Sequence, residues 1–313
     1  MKPADIVVVG GSAGALGILQ CIVRDLPDDF PAAVFVVLHV SPDAPSHLAE
    51  IVNRAGPLAA AFAKNEEKIV ASRIYLAPPD QHLLVSDGII HLTRDPRENR
   101  SRPAIDPLFR SAARRYGRRV IAVLLSGMFD DGVQGLQVVS RSGGTVVVLQ
   151  PDDTRFPQMP ENAIKLDHPD YILSAGDISA KLRELVANSQ STEMPNHTKV
   201  SEHSDPASGY MCPDCGGALF EDGDEAIPHF RCRIGHSYSL NALLAGGDDA
   251  LETALWAAVR SLQENAELKE RTATMLERSG RDSNAMRIRE DAKAQMQQAK
   301  LLRERIVEVQ KRP

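Results

Sequence analysis

The chain begins with an unbroken apolar run, Ile6-Val7-Val8-Val9, that stops at Gly10-Gly11 and gives way to a helical pattern over residues 15–26. A β-branched run bounded by glycines predicts a parallel strand buried on both faces. The same alternation recurs to about residue 187. Runs at 33–40, 119–125 and 144–149 predict further buried strands, and 45–55, 103–116, 133–142, 160–166 and 177–186 predict helices. Within 103–116, Ile105, Leu108, Phe109 and Ala112 share one helical face. This order predicts an α/β domain doubly wound about a mostly parallel sheet. The segment 68–93 departs from it. Its short stretches 73–77, 82–85 and 89–93 surround Pro78-Pro79-Asp80 and Ser86-Asp87-Gly88, which predicts an antiparallel β-hairpin inserted in the frame.

Beyond residue 187 the pattern changes twice. Residues 188–208 are polar, rich in Ser, Pro, Asn and His, and read as a linker. Residues 209–246 carry three of the four cysteines, and 247–313 return to helical periodicity. There Leu251, Leu255, Ala258 and Leu262 step by four and three, and Ser279-Gly280 interrupts. A heptad-like stripe then runs through Ala285, Ile288, Ala292, Ala299, Leu302, Ile306 and Val309. Two helices folding back as an α-helical hairpin or coiled coil are expected. Asn265, Lys269 and Thr272 interrupt the first seam, so it is short or meets a partner, homo-oligomerisation being one route. The expected organisation is therefore 1–187, a linker over 188–208, a small module over 209–246 and the hairpin over 247–313.

Composition narrows the function classes. A formal net charge of -6 over 313 residues argues against nucleic acid or an anionic membrane as the main partner. No apolar stretch reaches the roughly 18 residues that span a bilayer, and the N-terminus lacks a signal-peptide pattern. A cytoplasmic protein without membrane insertion is expected. Few cysteines, clustered late, suggest metal in a reducing compartment rather than disulfides.

The bend after the first strand, Gly10-Gly11-Ser12-Ala13-Gly14, is a Gly-x-Ser-x-Gly pattern that can hold a serine over the carboxyl edge of a sheet. A dinucleotide fingerprint fails here, because Ser12 and Ala15 stand where its second and third glycines belong. Ser12 as a helix cap is the plainer alternative. A nucleophilic serine needs a base and a group to orient that base. His39 and Asp131 share the address of Ser12, each following a predicted parallel strand, whereas the other histidines fall in the hairpin, beside helices, in the linker or in the cysteine module. The alternatives are a core histidine at His39 and a helix cap at Asp130 or Asp131. The Gly127-Met128 turn could present backbone N–H groups to an oxyanion.

These blocks resemble the catalytic domain of the CheB family, chemotaxis protein-glutamate methylesterases. The resemblance rests on Gly10–Gly14 with Ser12, Leu38-His39-Val40 with Pro42, and Tyr75-Leu76-Ala77-Pro78 with His82. It continues through Arg102-Pro103-Ala104-Ile105-Asp106 with Leu108-Phe109, Leu125–Gly132, and Met159-Pro160 with Ala163. It implies Ser12 as nucleophile, His39 as general base and acid, Asp131 as the residue orienting His39, and the Met128 N–H in the oxyanion hole. The implied reaction is hydrolysis of a glutamyl γ-methyl ester on a methyl-accepting chemoreceptor or related signalling receptor through an acyl-enzyme, without a catalytic cofactor. Glutamine deamidation and a cognate methyltransferase partner belong to the same implication. Ala13 stands where the family usually has Thr, Phe129 where it has Gly, and Leu38 where Gln is common. The family's receiver domain does not fit in the eleven residues before Ser12, so regulation by a fused receiver is not expected. A signalling adaptor that uses the fold only for binding is the alternative function.

In the second module Cys212-Pro-Asp-Cys215 and Cys232-Arg-Ile-Gly-His236 have the spacing of a closed tetrahedral Zn²⁺ site in a ribbon-like fold. Four protein ligands predict a structural metal, with His229 as a substitute ligand and a redox Cys-x-x-Cys as the rival. Cys21 is read as a packed residue of the first helix.

Overall fold

The Ile6–Val9 run lies at the centre of β1 (Asp5–Gly11), which has a parallel partner on each side. The structure, a computed structural model, describes residues 5–40, 46–188, 207–221, 228–279 and 281–310. The linker expectation therefore lies almost wholly outside the described residues, as does Pro42. From β1 the chain runs through α1 (Ala15–Arg24), β2 (Ala32–Leu38), α2 (Leu48–Ala55), β3 (Ala59–Phe62) and β4 (Arg73–Leu76). There follow β5 (His82–Ser86), β6 (Ile89–Thr93), α3 (Ile105–Tyr116), β7 (Val120–Leu124), α4 (Val133–Arg141) and β8 (Thr145–Leu149). The α/β part closes with α5 (Gln158–Asp167), β9 (Tyr171–Leu173) and α6 (Ala175–Asn188).

Seven parallel strands form one sheet in the order β3-β4-β2-β1-β7-β8-β9. Side chains alternate across a strand, so β1 feeds both faces. Ile6 and Val8 join the core under α3 and α4, and Val7 and Val9 join that under α1, α2 and α6. The chain winds away from β1 in both directions, which puts the topological switch point between β1 and β7. Crevices outside the carboxyl ends of strands at such a point are where open α/β sheets bind ligands.

The inserted hairpin is β5–β6, with Ser86 opposite Ile89. Asp87 and Gly88 both have positive φ, 50° and 77°, as a type I′ turn requires. Of residues 73–77, expected in the hairpin region, Arg73–Leu76 instead form β4 inside the main sheet. Strands β3 and β9 have no counterpart in the apolar pattern. They sit at the two sheet edges, are short and are only partly buried, so burial never demanded a continuous apolar run.

A second sheet is antiparallel: β10 (Ala207–Met211), β11 (Ala218–Glu221), β12 (His229–Cys232) and β13 (Ser237–Ser239). It encloses a small core of Cys212, Leu219, Phe230, Cys232, Tyr238, Ala242 and Leu243. This sheet and the α/β domain form one compact unit, Met1–Leu243, and Leu244–Pro313 form another.

Helix α7 (Leu240–Arg278) starts before the expected residue 247 and runs through Gly246-Gly247. Each helical glycine costs about 1 kcal/mol relative to alanine. Ser239 offsets part of this as a cap, its Oγ accepting the Ala242 N–H at 3.1 Å. In the second unit α7 packs against α8 (Asp282–Gln310) along a seven-residue repeat, Val259, Ala266 and Ala273 facing Ala285, Ala292, Ala299 and Ile306. The seam on α7 lies one residue beyond the expected Ala258, and Leu251 is exposed. Arg289 of α8 pairs with Glu270 (2.7 Å) and Glu277 of α7. Among the described residues no helix is long and apolar enough to cross a membrane.

Candidate active site

Ser12 and His39 directly follow β1 and β2, and Asp131 lies at the end of the turn that follows β7, the three strands being neighbours in the sheet. The His39 N–H donates to the Gly11 carbonyl (3.2 Å) and the Ser12 N–H to the Ser126 carbonyl (2.8 Å), so the sheet ladder sets the backbone on both sides of the serine. Helix α1 has Gly14 as its N-cap residue and no side-chain cap bond. Ser12 thus reaches the helix through its carbonyl, which accepts the Ala15 N–H, and the cap alternative does not hold.

His39 Nε2 is 2.8 Å from Asp131 Oδ2. The same carboxylate receives the Ile105 N–H at 2.7 Å on Oδ2 and the Asp106 N–H at 3.3 Å on Oδ1. Those are the first N–H groups of α3, so Asp131 is an anion at a helix N-terminus as well as the partner of His39. Asn99 Nδ2 adds a bond to Oδ1 at 3.0 Å. Burial alone would raise the Asp131 carboxyl. The hydrogen bond and charge of His39, with the Ile105 and Asn99 donors, outweigh it and bring the pKa down to about 2. Asp131 therefore stays ionised while buried.

Two other acids surround it. Asp106 accepts from Gly135 N–H (2.6 Å) and Asn99 Nδ2 (3.0 Å), and burial together with the Asp131 charge holds its carboxyl well above the usual range. Asp130, weighed above as a cap for α4, does not serve as one, because Gly132 is the N-cap residue and no side chain bonds there. The Asp130 carboxylate instead accepts from the Ser239 hydroxyl and from Asn241 Nδ2 (3.1 Å), and burial raises its pKa against those two bonds.

The turn after β7 passes close to the serine. A Cβ on Gly127 would lie 2.9 Å from Ser12 Cβ and 2.6 Å from Met159 Cε, closer than atoms can pack. The Gly127 N–H donates to the Phe156 carbonyl (3.1 Å) and the Phe129 N–H to Gln158 Oε1 (3.0 Å), with Met128 between them. Phe129 has φ 65°, the left-handed region that glycine adopts freely. The backbone shape expected of a glycine is kept by a bulkier residue.

His82 is buried inside the hairpin. Its Nε2 donates to the Pro96 carbonyl (3.1 Å) and its Nδ1 accepts the Ala104 N–H (3.2 Å), which fixes one tautomer and steers the chain into α3. Asn99, Asp106 and Ser239 had no functional reading in the sequence. Asn99 belongs to no periodic element, and a lone asparagine in a polar loop carries no signal of what it bridges.

In the antiparallel sheet the three thiols and the His236 imidazole converge, all four donor atoms lying within 4.8 Å of one another. Cys215 Sγ is 3.7 Å from Cys232 Sγ, and His236 Nδ1 is 3.6 and 3.5 Å from Cys212 and Cys232 Sγ. A tetrahedral ion with Zn–S of about 2.3 Å and Zn–N of about 2.0–2.1 Å needs S···S of roughly 3.8 Å and S···N of roughly 3.5 Å. The donor set fits zinc. His229 lies outside it, bonded through Nε2 to Ser237 Oγ at 2.6 Å.

Comparison with known proteins concerns the α/β domain. The family model described as CheB methylesterase matches residues 7–182. A protein-glutamate methylesterase/protein-glutamine glutaminase of Anaeromyxobacter dehalogenans is 35% identical over 181 residues, 58% of this chain and 53% of the relative. A putative enzyme of the same name from Leptospira interrogans is 32% identical over 176 residues, 56% of this chain and 91% of the relative. The crystal structure of the Thermotoga maritima CheB methylesterase catalytic domain matches with TM-score 0.56 and 34% identity, over 58% of this chain and 98% of that one. The chain thus spans about half the length of the Anaeromyxobacter relative and nearly all of the Leptospira one. With the family model covering more than half of the chain and the solved domain matching the same share, this protein belongs to the CheB methylesterase family.

Proposed function

We propose that this protein is a serine esterase that removes the γ-methyl ester from glutamate side chains of methyl-accepting chemoreceptors or related signalling receptors, and that it deamidates glutamine at such positions. The observation that carries this reading is the His39 Nε2–Asp131 Oδ2 bond at the strand ends that flank Ser12. With Nε2 engaged by Asp131, Nδ1 is the ring nitrogen left to take the serine proton. Ser12 Oγ attacks the ester carbonyl, His39 receives the proton, and the tetrahedral oxyanion meets the Met128 N–H, since its neighbours in the turn are engaged by Phe156 and Gln158. Methanol, or ammonia from glutamine, leaves with the proton held by His39. Water then hydrolyses the glutamyl-Ser12 ester by the same proton path in reverse. Asp131 holds its charge throughout and balances the imidazolium.

No metal takes part in these steps. Cys212, Cys215, Cys232 and His236 are proposed to hold a structural Zn²⁺ that ties β10–β13 together, since four protein donors leave no open position for substrate. Residues 1–187 are taken as the esterase domain, 209–246 as the metal module and 247–313 as the helical hairpin.

The test is methanol release from receptor membranes carrying labelled methyl esters, with Ser12→Ala as control. Release that depends on Ser12 supports the esterase. Release no faster than that of Ser12→Ala would leave the adaptor reading for those receptors.

A further inference from the structure

The loop that carries Asn99 is held by the metal module. Ser237 of β13 exchanges two backbone bonds with it: its N–H donates to the Arg97 carbonyl (3.3 Å) and its carbonyl accepts the Asn99 N–H (2.8 Å). Glu98 and Ser237 form a β-bridge. Gly235, in the knuckle between Cys232 and His236, packs on Pro96, where a Cβ would lie 3.2 Å from the proline ring. Asn99 and Arg100 both have left-handed φ, 48° and 68°, a conformation that does not persist in a free loop without outside bonds.

The Asn99 amide is fully used. Its NH₂ group donates to Asp131 Oδ1 and to Asp106 Oδ2, both at 3.0 Å, and its Oδ1 accepts the Ser239 N–H at 2.8 Å. A backbone N–H can only donate, so Ser239 demands the oxygen, and the ionised Asp131 can only accept, so it demands a hydrogen. One orientation satisfies all three partners; the flipped amide would set its oxygen against two buried carboxyls. A second link runs alongside, from Ser239 and Asn241 to Asp130, the residue before the acid that holds His39.

We propose that the antiparallel sheet braces the esterase site: through Ser237 and Ser239 it sets Asn99, and Asn99 acts as a positioning residue that keeps Asp131 aimed at His39. The metal knuckle then controls the esterase without touching substrate, and loss of the metal slackens the acid. The role of Asp131 rests on the esterase reading above; the brace itself rests on the contacts.

Two readouts on the full chain separate the two ideas. One is the rate at which a fluorophosphonate labels Ser12. The other is the downfield proton resonance of the His39 imidazole bonded to Asp131, which needs no turnover. The variants are Asn99→Ala, Cys232→Ser, the double Ser239→Ala/Asn241→Ala, and Asn99→Ala combined with Cys232→Ser. Asn99→Ala and Cys232→Ser should each slow labelling by roughly 10-fold or more, and both should broaden or shift the resonance. Combined, they should be no slower than the slower single variant, because they act on one contact. Ser239→Ala/Asn241→Ala, which leaves the cysteines and the Ser239 N–H intact and removes the two bonds to Asp130, should move both readouts the same way through that second link. If the wild type is not labelled, the esterase reading fails and the resonance alone decides the brace. The brace is overturned if Cys232→Ser and the Ser239/Asn241 double variant keep the wild-type resonance, or if the Asn99 and Cys232 losses multiply.

Discussion

His39 and Asp131 are 92 residues apart in the chain, yet Nε2 and Oδ2 meet at 2.8 Å because parallel strands β2 and β7 flank β1 and end at one edge. Asp131 is buried, and its charge is kept by the donors around it rather than by solvent. Replacing it with Asn keeps the shape but offers His39 an amide in place of a charge. Asp131→Asn should retain the fold by circular dichroism and lower kcat/KM by about 10⁴-fold, as loss of the orienting acid does in serine hydrolases. A loss below tenfold would mean that Asp131 serves α3 rather than His39.

Gly127 has no room for a side chain. Gly127→Ala puts a methyl group against Ser12 and Met159 and should push the turn, with the Met128 N–H, away from the serine. A stability loss of about 1–3 kcal/mol by urea denaturation should accompany a fall in kcat. Wild-type stability together with wild-type kcat would contradict the described geometry.

His82 supplies a pH dependence. Burial lowers its pKa below the ordinary imidazole value against the Pro96 hydrogen bond and the nearby acids. Above about pH 6.5 it is neutral in both folded and unfolded chains and has no effect. Below that, the unfolded chain binds the proton more readily, so stability falls as pH drops toward the folded pKa, by at most about 1.4 kcal/mol per pH unit. Urea midpoints measured downward from about pH 6.5 should show this slope, and His82→Gln should flatten it. An unchanged slope in the variant would assign the proton to another group.

The metal module should bind one equivalent of Zn²⁺ per chain, read by elemental analysis. Cys215→Ser should lower that stoichiometry, and chelation should raise amide exchange in β10–β13. Unaltered zinc content in Cys215→Ser would remove it from the ligand set.

Much of this was legible in the sequence because burial imposes patterns. Continuous runs such as Ile6–Val9 announce strands covered on both faces, and strand ends followed by Ser12, His39 and Asp131 point to one sheet edge. The Cys-x₂-Cys and Cys-x₃-His spacings were similarly plain, since ligation restricts both residue type and separation. Edge strands β3 and β9 escaped because half-burial leaves no such constraint. Asn99 escaped for a different reason: its role comes from three partners at positions 106, 131 and 239, and no local pattern encodes that meeting. Position 129 lies between these cases, since the departure from glycine was visible in the chain but its positive φ was not.

The central claim is that Ser12 is a nucleophile activated by His39. The most direct measurement is intact-mass and peptide mapping after reaction with a fluorophosphonate, for the wild type, Ser12→Ala and His39→Ala. The account predicts one adduct, on Ser12, absent from Ser12→Ala and formed far more slowly in His39→Ala. An adduct on another residue, or labelling of Ser12 at the same rate without His39, would contradict it.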